Sequence, residues 1–304
     1  MARGEDPGGV GDMHPHHSSD AAASSELRSP VRLGTAGWSI PAAWRDAFAV
    51  NDGGSDQPDP ASPSDTRIAS NLERYARRFA AVEINSSFYR HHRRTTYERW
   101  ATTVPPEFRF AVKLPRTITH DQSLVAFDAP LDVFLEEVAG LGDRLGPLLT
   151  QLPPSLRFDS DTAEEFFAGV RARHDGEVVC EPRHPSWFDD DADSLLSRYR
   201  IARVAADPAC VPAAARPGGS RDLVYARLHG SPHMYRSAYS PAFLERVERM
   251  LAAAQGDANG GAGGGRAAAV PAWCIFDNTT LGAATGDALA LQRMVNARLR
   301  RSSS

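Results

Sequence analysis

Three observations on the sequence predict an α/β fold, specifically a single (β/α)8 barrel of the TIM type. Eight short apolar runs alternate with helical patterns over about 250 residues, the usual size of such a barrel. Most of these runs end abruptly in polar residues, as barrel strands do at the face that carries the site. The first run leads into Gly34-Thr35-Ala36-Gly37, which is not the GxGxxG turn of a doubly wound sheet, so that competing fold is disfavoured.

The strands are predicted from the apolar runs. Each run has about five residues, the commonest strand length, and several are rich in β-branched residues. Strands are predicted over residues 31–34, 82–84, 108–114, 147–152, 178–181, 202–206, 223–228 and 273–276.

The helices are predicted from apolar residues at helical spacing and from their end signals. Ser240 followed by Pro241 is typical of a helix start. The chain after Asp207 is rich in Pro, Ala and Gly, so the helix that follows the sixth strand is expected to be short or missing. Helices are predicted over residues 68–79, 95–101, 131–141, 161–173, 190–199, 241–254 and 283–299.

The domain organisation follows from the same pattern. Residues 1–30 lack apolar periodicity and are expected to be a disordered tail. The barrel is expected to span residues 31–299, and residues 300–304 form a short tail. Flexible inserts are expected at residues 51–65 and 256–265. The second insert joins a helix to the next strand, so it should lie at the barrel's N-terminal face, away from the site.

Composition excludes several classes of protein. The 304 residues carry a net charge of −4, which does not support nucleic-acid binding, although a local basic pocket remains compatible with it. No apolar run is long enough to span a bilayer, so no membrane partner is expected. The N-terminus lacks a secretory pattern, so a cytoplasmic location is expected. The three cysteines lie far apart, which argues against a zinc cluster or a disulfide framework.

The segment 178–188 points most directly to a site, because its buried strand ends in Glu181, Arg183 and His184. Burying such groups is costly unless they are paired. Side chains alternate along a strand, and those at the carboxyl ends of barrel strands line the catalytic face. The candidate catalytic residues are Glu83, Lys113, Glu181, His229 and Asp207. The candidate substrate-binding residues are Trp38, Asn85, Tyr89, Gln151, Arg183, His184, Trp187, Arg227 and Asn278.

Structural explanations of these residues stay open beside the functional ones. Gln151 and Asn278 could simply make structural hydrogen bonds, and Glu181 with Arg183 could form a structural ion pair. An aromatic rim of Trp38, Tyr89 and Trp187 could contact a ligand or only pack the loops. Taken together, however, these positions favour a site, because a purely structural barrel would fill them with Val, Ile and Leu.

The polar strand ends, taken together, resemble one family, the YecE-like proteins, or domain of unknown function seventy-two. The resemblance covers about residues 31–299 and implies a TIM-type barrel without an established activity. Two departures are Pro182 in place of the usual aromatic, and Gly286-Asp287 in place of the usual Asn-Ala at the last helix. The carrying motifs are GTAGW at 34–38, VEINSSFY at 82–89, FAVKLPR at 110–116, ITH at 118–120, LTQLPP at 149–154, EPRHPSW at 181–187, RLHG at 227–230 and FDN at 276–278.

Three functions remain in view. The first is an enzyme acting on an anionic substrate, such as a phosphate ester or nucleotide, which Lys113, Arg183 and Arg227 would hold for general acid-base chemistry. The second is a metal-dependent hydrolase by fold analogy with endonuclease IV, although the interleaved cations would repel metal ions. The third is a non-catalytic barrel that binds a ligand or partner. The sequence requires no cofactor, and no metal ligands are assigned.

Lys113 is the chain's single lysine among 34 basic residues, so it is expected where arginine cannot serve. By alternation with Ala111 it should point into the barrel. Burial and nearby arginines should lower its pKa, and a neutral amine could act as a base or form a Schiff base. A neighbouring Glu83 or Glu181 would instead keep it charged. We expect the charged role, because acids are as plentiful as cations at this mouth.

Overall fold

The computed structural model describes residues 31–49, 70–256 and 269–302. The predicted N-terminal tail, the insert at 51–65 and all but the first residue of the insert at 256–265 lie outside these ranges. The last helix continues to Ser302, beyond the predicted end at residue 299.

The described residues form a mixed α/β fold whose sheets are mostly parallel. One sheet has the order β1-β10-β9-β7 and the other β2-β3-β4-β5-β6-β8, and every pairing except β6 with β8 is parallel. The strands are β1 Val31–Thr35, β2 Ala81–Ile84, β3 Arg109–Lys113, β4 Leu145–Gln151, β5 Val178–Glu181, β6 Ile201–Arg203, β7 Ala205–Asp207, β8 Gly218–Gly219, β9 Val224–Leu228 and β10 Ala272–Phe276.

Two connections link the sheets. The predicted sixth strand divides at Val204 into β6 and β7, which belong to different sheets. The Val204 amide still donates to the Cys180 carbonyl at 2.8 Å, so the chain stays hydrogen-bonded through the division. At the other side, a parallel bridge pairs Ala36 with Glu83, and the Gly37 amide donates to the Glu83 carbonyl at 2.9 Å.

Helices cover the strands in the predicted alternation. Their N-termini carry side-chain caps where the sequence offers Ser or Asp: Ser70 and Glu73 form a capping box, and Ser240 caps the helix that begins with Pro241. The predicted helix at 131–141 ends earlier, because a 3-10 segment follows it. The helices are α1 Asn71–Ala76, α2 Arg94–Thr103, α3 Asp128–Val138, α4 Ser160–Arg171, α5 Asp190–Arg198, α6 Pro241–Ala254 and α7 Ala283–Ser302.

The segment after β7 holds no α-helix, in agreement with its Pro-, Ala- and Gly-rich composition. A 3-10 turn, Pro212–Ala215, and the two-residue strand β8 take its place. The outer faces of β7 and β9 carry Ala205 and Ala226 here, and a cavity of about 310 Å³ lies between these strands and α6.

Two groups of buried apolar residues divide the interior. The larger one packs the helices against the outer strand faces. The smaller one, which we call the inner cluster, collects side chains from strands of both sheets and positions the site described below. Its members are Ala81, Ala111, Leu149, Val179, Ala202, Val204, Leu223, Tyr225, Trp273 and Ile275.

Within the described ranges, we find no helix that combines the length and apolar character needed to cross a bilayer. The three cysteines are free thiols, two of them buried, and burial raises the pKa of Cys180 and Cys274. These two behave as small apolar core residues.

Candidate functional site

A layer of charged and polar side chains lies directly beyond the inner cluster. Each member follows an inner-cluster residue by two positions on its strand, so strand alternation places both on the same face. Because the strands are parallel, these carboxyl-end residues meet at one end of the molecule. The layer comprises Glu83 after Ala81, Lys113 after Ala111, Gln151 after Leu149, Glu181 after Val179, Arg227 after Tyr225 and Asp277 after Ile275.

Arg227 is the centre of this layer, and its guanidinium is fully buried. Its Nη2 lies 2.7 Å from Glu83 Oε1, and its Nε lies 3.0 Å from both oxygens of Glu83. Its Nη1 donates to Glu181 Oε2 and to Gln151 Oε1, both at 2.9 Å. Its Nη2 also lies 2.9 Å from Asp277 Oδ2. The side chain expected to hold substrate therefore uses its donors within the protein.

Two of the carboxylates, Glu181 and Asp277, are paired well enough to stay ionised although they are buried. Burial raises the pKa of Glu181, but Arg183, His229 and Arg227 outweigh it and hold that pKa well below its usual value. Asp277 behaves alike: Arg227 and His229 overcome the effect of burial and lower its pKa. Conversely, burial opposes the charge of Arg227, but its acidic neighbours raise the pKa above the ordinary arginine value.

Glu83 has a further partner in Tyr225, whose hydroxyl donates to Oε2 at 2.9 Å. Burial, together with the neighbouring Glu83 carboxylate, raises the pKa of Tyr225 well above its usual value, so it remains a donor. The amide of Asn85, oriented to satisfy its neighbours, donates to Glu83 Oε1 at 2.9 Å and accepts from Arg227 Nη2 at 3.3 Å. Glu83 is thus held from three directions.

His229 lies between two carboxylates. Its Nδ1 is 3.0 Å from Asp277 Oδ2, and its Nε2 is 2.8 Å from Glu181 Oε1. Arg183 Nη2 approaches both Nε2 of this imidazole and Oε1 of Glu181, each at 2.6 Å. As an imidazolium, His229 donates to both acids; as a neutral ring with its proton on Nδ1, it accepts from Arg183. Each form leaves one contact at Nε2 unmatched: the imidazolium faces the Arg183 donor, and the lone pair of the neutral ring faces Glu181 Oε1.

Arg183 and Lys113 differ from Arg227 because their donors are not all used. Arg183 Nε is buried and has no hydrogen-bond partner in the part of the chain that the structure describes. The Lys113 amine lies 3.8 Å from the centre of the Phe88 ring, and none of the described carboxylates comes within ion-pair distance of it. The carboxylate pairing expected for Lys113 is therefore not made.

The pKa of Lys113 is lowered to about 8. Burial is the largest cause and the positive charge of Arg227 the second, while Glu83, Glu181 and Asp277 oppose the shift. The sequence predicted that burial and arginines would lower this pKa but favoured the charged role, and a pKa of about 8 still leaves most of the amine charged at pH 7.

Four predicted site residues turn away from this layer. Asp207 accepts from Tyr239 Oη at 2.9 Å, outside the layer. His184 Nδ1 caps the 3-10 segment at Ser186, and Trp187 is buried with its indole donating to the Leu156 carbonyl at 3.0 Å. Asn278 donates to Asp287 Oδ2 at 2.7 Å, beside the start of α7. These contacts give the four residues local structural roles.

The expected aromatic rim is not assembled either. Trp38 packs edge-on against Trp100 with ring centres 5.1 Å apart, and Trp187 is in the core. Tyr89 is 77% exposed and touches the Phe88 ring. Of the three aromatic residues, Tyr89 is the one connected to Lys113, because both side chains contact the Phe88 ring.

Three residues of the site were not among the candidates. Asp277 bonds His229 and Arg227, and its alternation with Trp273 and Ile275 could have identified it in place of Asn278. Tyr225 shares a face with Arg227. Tyr235 is 41% exposed and covers the His229 ring at a centre distance of 5.7 Å; it comes from a loop without a strand pattern, so no sequence signal marks it.

Metal binding has no assembled ligand set in residues 31–49, 70–256 and 269–302, where no three His, Cys, Asp or Glu side chains are placed to share an ion. The buried acids Glu83 and Glu181 are bonded to Arg227 and Arg183, and Asp207 accepts from Tyr239.

Comparisons with curated proteins give two partial relatives. The chain is 35% identical to the UPF0759 protein YecE of Escherichia coli K12 over 112 residues, which are 34% of this chain and 41% of that protein. It is 29% identical to the UPF0759 protein YunF of Bacillus subtilis 168 over 136 residues, which are 41% of this chain and 47% of that protein. The chain thus matches less than half the length of these relatives.

Solved structures with the same fold are DUF72 family proteins. One from Enterococcus faecalis superposes with a TM-score of 0.66 at 18% identity, covering 88% of this chain and 96% of that one. One from Thermotoga maritima gives 0.65 at 21% identity, covering 88% and 99%. The family model described as "Protein of unknown function DUF72" matches residues 32–304. The resemblance predicted from the motifs is therefore confirmed, and this chain belongs to the DUF72 family.

Proposed function

We propose that this protein is an enzyme that acts on an anionic substrate, such as a phosphate ester or nucleotide, by general acid-base chemistry. The observation that carries the proposal is the unequal use of three cations, the buried Arg227 and Lys113 and the partly buried Arg183. Arg227 directs its donors to Glu83, Glu181 and Gln151. The buried Nε of Arg183, in contrast, has no partner among the described residues, and no described carboxylate lies within ion-pair distance of the Lys113 amine. A buried donor without a partner is costly, and an anionic ligand would satisfy it.

His229 is the group we assign to proton transfer. Its two nitrogens contact Asp277 and Glu181, which orients the ring within the site. Arg183 reaches the same Nε2, which supplies a donor when the ring is neutral. An imidazole oriented by carboxylates at both nitrogens is the kind of group that general acid-base catalysis uses.

We also propose that the two sheets form one closed (β/α)8 barrel around the site. Three features support closure: the hydrogen-bonded passage through Val204, the bridge between Ala36 and Glu83, and an inner cluster drawn from both sheets. In such a barrel the charged layer would lie at the carboxyl ends of the strands, where barrel enzymes carry their sites.

Inorganic phosphate tests the anion site directly. We expect phosphate to raise the melting temperature of the wild-type protein and to bind about 10–100-fold more weakly to Lys113→Gln and Arg183→Gln, because each loses one charge-assisted contact. Arg157→Gln, at an exposed arginine outside the layer, is the matched control and should bind phosphate as the wild type does. Equal affinity in all four proteins would refute the site.

Turnover separates an enzyme from a binding protein. A panel of phosphate esters and nucleotides that stabilise the wild type is incubated with it and with His229→Gln. We expect product from the wild type and at least about 100-fold less from the variant, the usual contribution of a general acid or base. Stabilisation without product for every ligand would favour the non-catalytic barrel.

A further inference from the structure

The Lys113 amine stands apart from the ion pairs of the charged layer. It is the chain's single lysine, its side chain is buried, and its Nζ contacts the face of the Phe88 ring. The ring attracts an ammonium only through its quadrupole, which is a weaker partner than a carboxylate. The two nearby glutamates already have other partners. Glu83 is bonded to Arg227 and Tyr225, and Glu181 is bonded to Arg227 and His229.

The surroundings of the amine favour loss of its proton. Burial and the Arg227 guanidinium disfavour the ammonium, and the residual attraction of Glu83, Glu181 and Asp277 does not cancel them. The His120 imidazole packs edge-on against the Phe88 ring. Burial, and next the positive charge of Lys113, lower the pKa of His120. With a pKa of about 8, roughly a tenth of the amine is neutral at pH 7 and half at pH 8.

A neutral amine explains why lysine rather than arginine occupies this position. All other basic residues of the chain are arginine, yet an arginine cannot deprotonate under these conditions. Anion binding alone would be served at least as well by a guanidinium. Nucleophilic attack needs the free lone pair that only lysine offers.

We propose that Lys113 captures the carbonyl group of an anionic substrate as an imine. The nitrogen lone pair forms a bond to the carbonyl carbon as the carbonyl π bond breaks. The oxygen then leaves as water, carrying both hydrogens of the amine, and a carbon–nitrogen double bond remains. The step needs no oxidant or reductant. His229, bonded to Glu181 and Asp277, supplies and accepts protons in this layer.

The substrate class is a carbonyl compound that carries a carboxylate or a phosphate. This inference rests on the proposed anion site, because Arg183 would hold the charged group while Lys113 meets the carbonyl. Two classes of compound have this chemistry: 2-oxo acids, and phosphorylated aldehydes or ketones. Comparing one compound of each class as a competitor of the trapping shows which class the site prefers.

Reductive trapping tests the imine. The full chain is incubated at pH 7 with glyoxylate and cyanoborohydride, and the adduct is located by peptide mass spectrometry. Only the N-terminal amine competes, because the chain has one lysine. We expect one adduct at Lys113, formed on the order of 100-fold faster than on Nα-acetyl-lysine, since more of the amine is neutral. Pyruvate and glyceraldehyde 3-phosphate are then compared as competitors of the trapping.

Lys113→Arg is the matched control and should acquire only the N-terminal adduct. Modification of Lys113 no faster than acetyl-lysine, or absent, overturns the proposal. So does a trapping rate that rises with a midpoint near pH 10. Phosphate stabilisation of the wild-type protein is measured in parallel: if phosphate fails to bind but the adduct forms, the anion site is refuted and the nucleophile remains; if phosphate binds without an adduct, only the nucleophile is refuted.

Discussion

At the residue scale, the site depends on a buried arginine shared by three acids. Removing a carboxylate and an arginine from water costs several kcal/mol each, and only good geometry recovers it. Glu83 meets Arg227 through Nε and Nη2, which is the strong bidentate arrangement. Because the pKa values of Glu181 and Asp277 are lowered, their contribution to stability is present above about pH 4 and is lost as the pH falls through the lowered values.

Glu83→Gln should destabilise the protein strongly. The substitution keeps the size of the side chain but leaves the buried Arg227 with one acid fewer and turns an amide donor toward it. We expect a loss of about 3 kcal/mol in the free energy of unfolding, measured by urea denaturation. Tyr225→Phe is the control, since it removes one hydrogen bond to the same carboxylate and should cost about 1 kcal/mol. Equal losses would mean that the charge of Glu83 contributes nothing.

Lys113 should make stability depend on pH in the alkaline range. The folded state has a lysine pKa of about 8, against about 10.4 in the unfolded chain. Between these values the unfolded chain binds the proton and the folded chain does not, so the free energy of unfolding rises with pH. Relative to Lys113→Met, the wild type should gain about 3 kcal/mol between pH 7 and 10.5.

The comparison with Lys113→Met cancels the other groups that titrate in this range, including the buried cysteines and tyrosines. A difference between the two proteins that stays constant across the range would show that the Lys113 pKa is not lowered. A difference that grows at lower pH would have the wrong sign and would place an undetected acid beside the amine.

Strand alternation accounts for which site residues could be predicted from the sequence. Glu83, Glu181 and Arg227 were predicted from their positions at strand ends, and the structure brings them together. Asn278 was chosen over Asp277 although Asp277 shares a face with Ile275. The internal bonding of Arg227 could not be predicted, because its partners come from other strands and no local pattern records their contact.

At the scale of elements, β1 and β2 lie side by side where the bridge between Ala36 and Glu83 joins the two sheets. Gly34 has no side chain at this point, and a Cβ built there would overlap the carbonyl oxygen of Ala81. The Tyr75 hydroxyl lies on the same side and donates to that carbonyl at 3.1 Å. Only glycine lets the two strands approach to this distance.

Gly34→Ala should therefore separate β1 from β2 and weaken the whole fold. The obstacle is backbone, which cannot rotate away, so we expect a loss of about 2–3 kcal/mol by urea denaturation. Val31→Ala, at the partly exposed start of the same strand, should lose only about 1 kcal/mol. A Gly34→Ala protein as stable as the wild type would show that the strands do not approach this closely.

The elements themselves were largely predictable, for reasons that also explain the exceptions. Apolar strands ending in polar groups and helices with Ser or Asp caps leave local signals, as at Ser240. The 3-10 segment Pro185–Phe188 does not, and its Trp187 looked like a surface aromatic. Trp187 is instead in the core because Leu156, from a distant turn, accepts its indole proton.

At the scale of the molecule, the interior has two chemically different layers. The inner cluster supplies the apolar packing, and on six strands the next inward position is charged or polar, whereas Val204 is followed by Ala206. The charges at the site nearly balance: Glu83, Glu181 and Asp277 face Arg227 and Lys113 of the same layer and the neighbouring Arg183. Loss of the Lys113 proton, whose pKa is about 8, leaves the three acids in excess, so an incoming anion meets the more favourable charge below that pH.

Hydrogen exchange should show whether the two sheets close into one unit. The Gly37 amide donates to Glu83 across the connection of the sheets, and the Leu114 amide donates to Leu149 inside one sheet, both at 2.9 Å. In a closed barrel both amides are released only by global unfolding, so their exchange should report the same opening free energy within about 1 kcal/mol. An open edge would fray, and Gly37 would then exchange orders of magnitude faster, like the turn amide of Ala49. In Gly34→Ala, the exchange rate of the Gly37 amide should rise toward that of Ala49. The exchange rate of the Leu114 amide should change only as much as the global stability does. Comparing the two rates separates local opening from overall destabilisation.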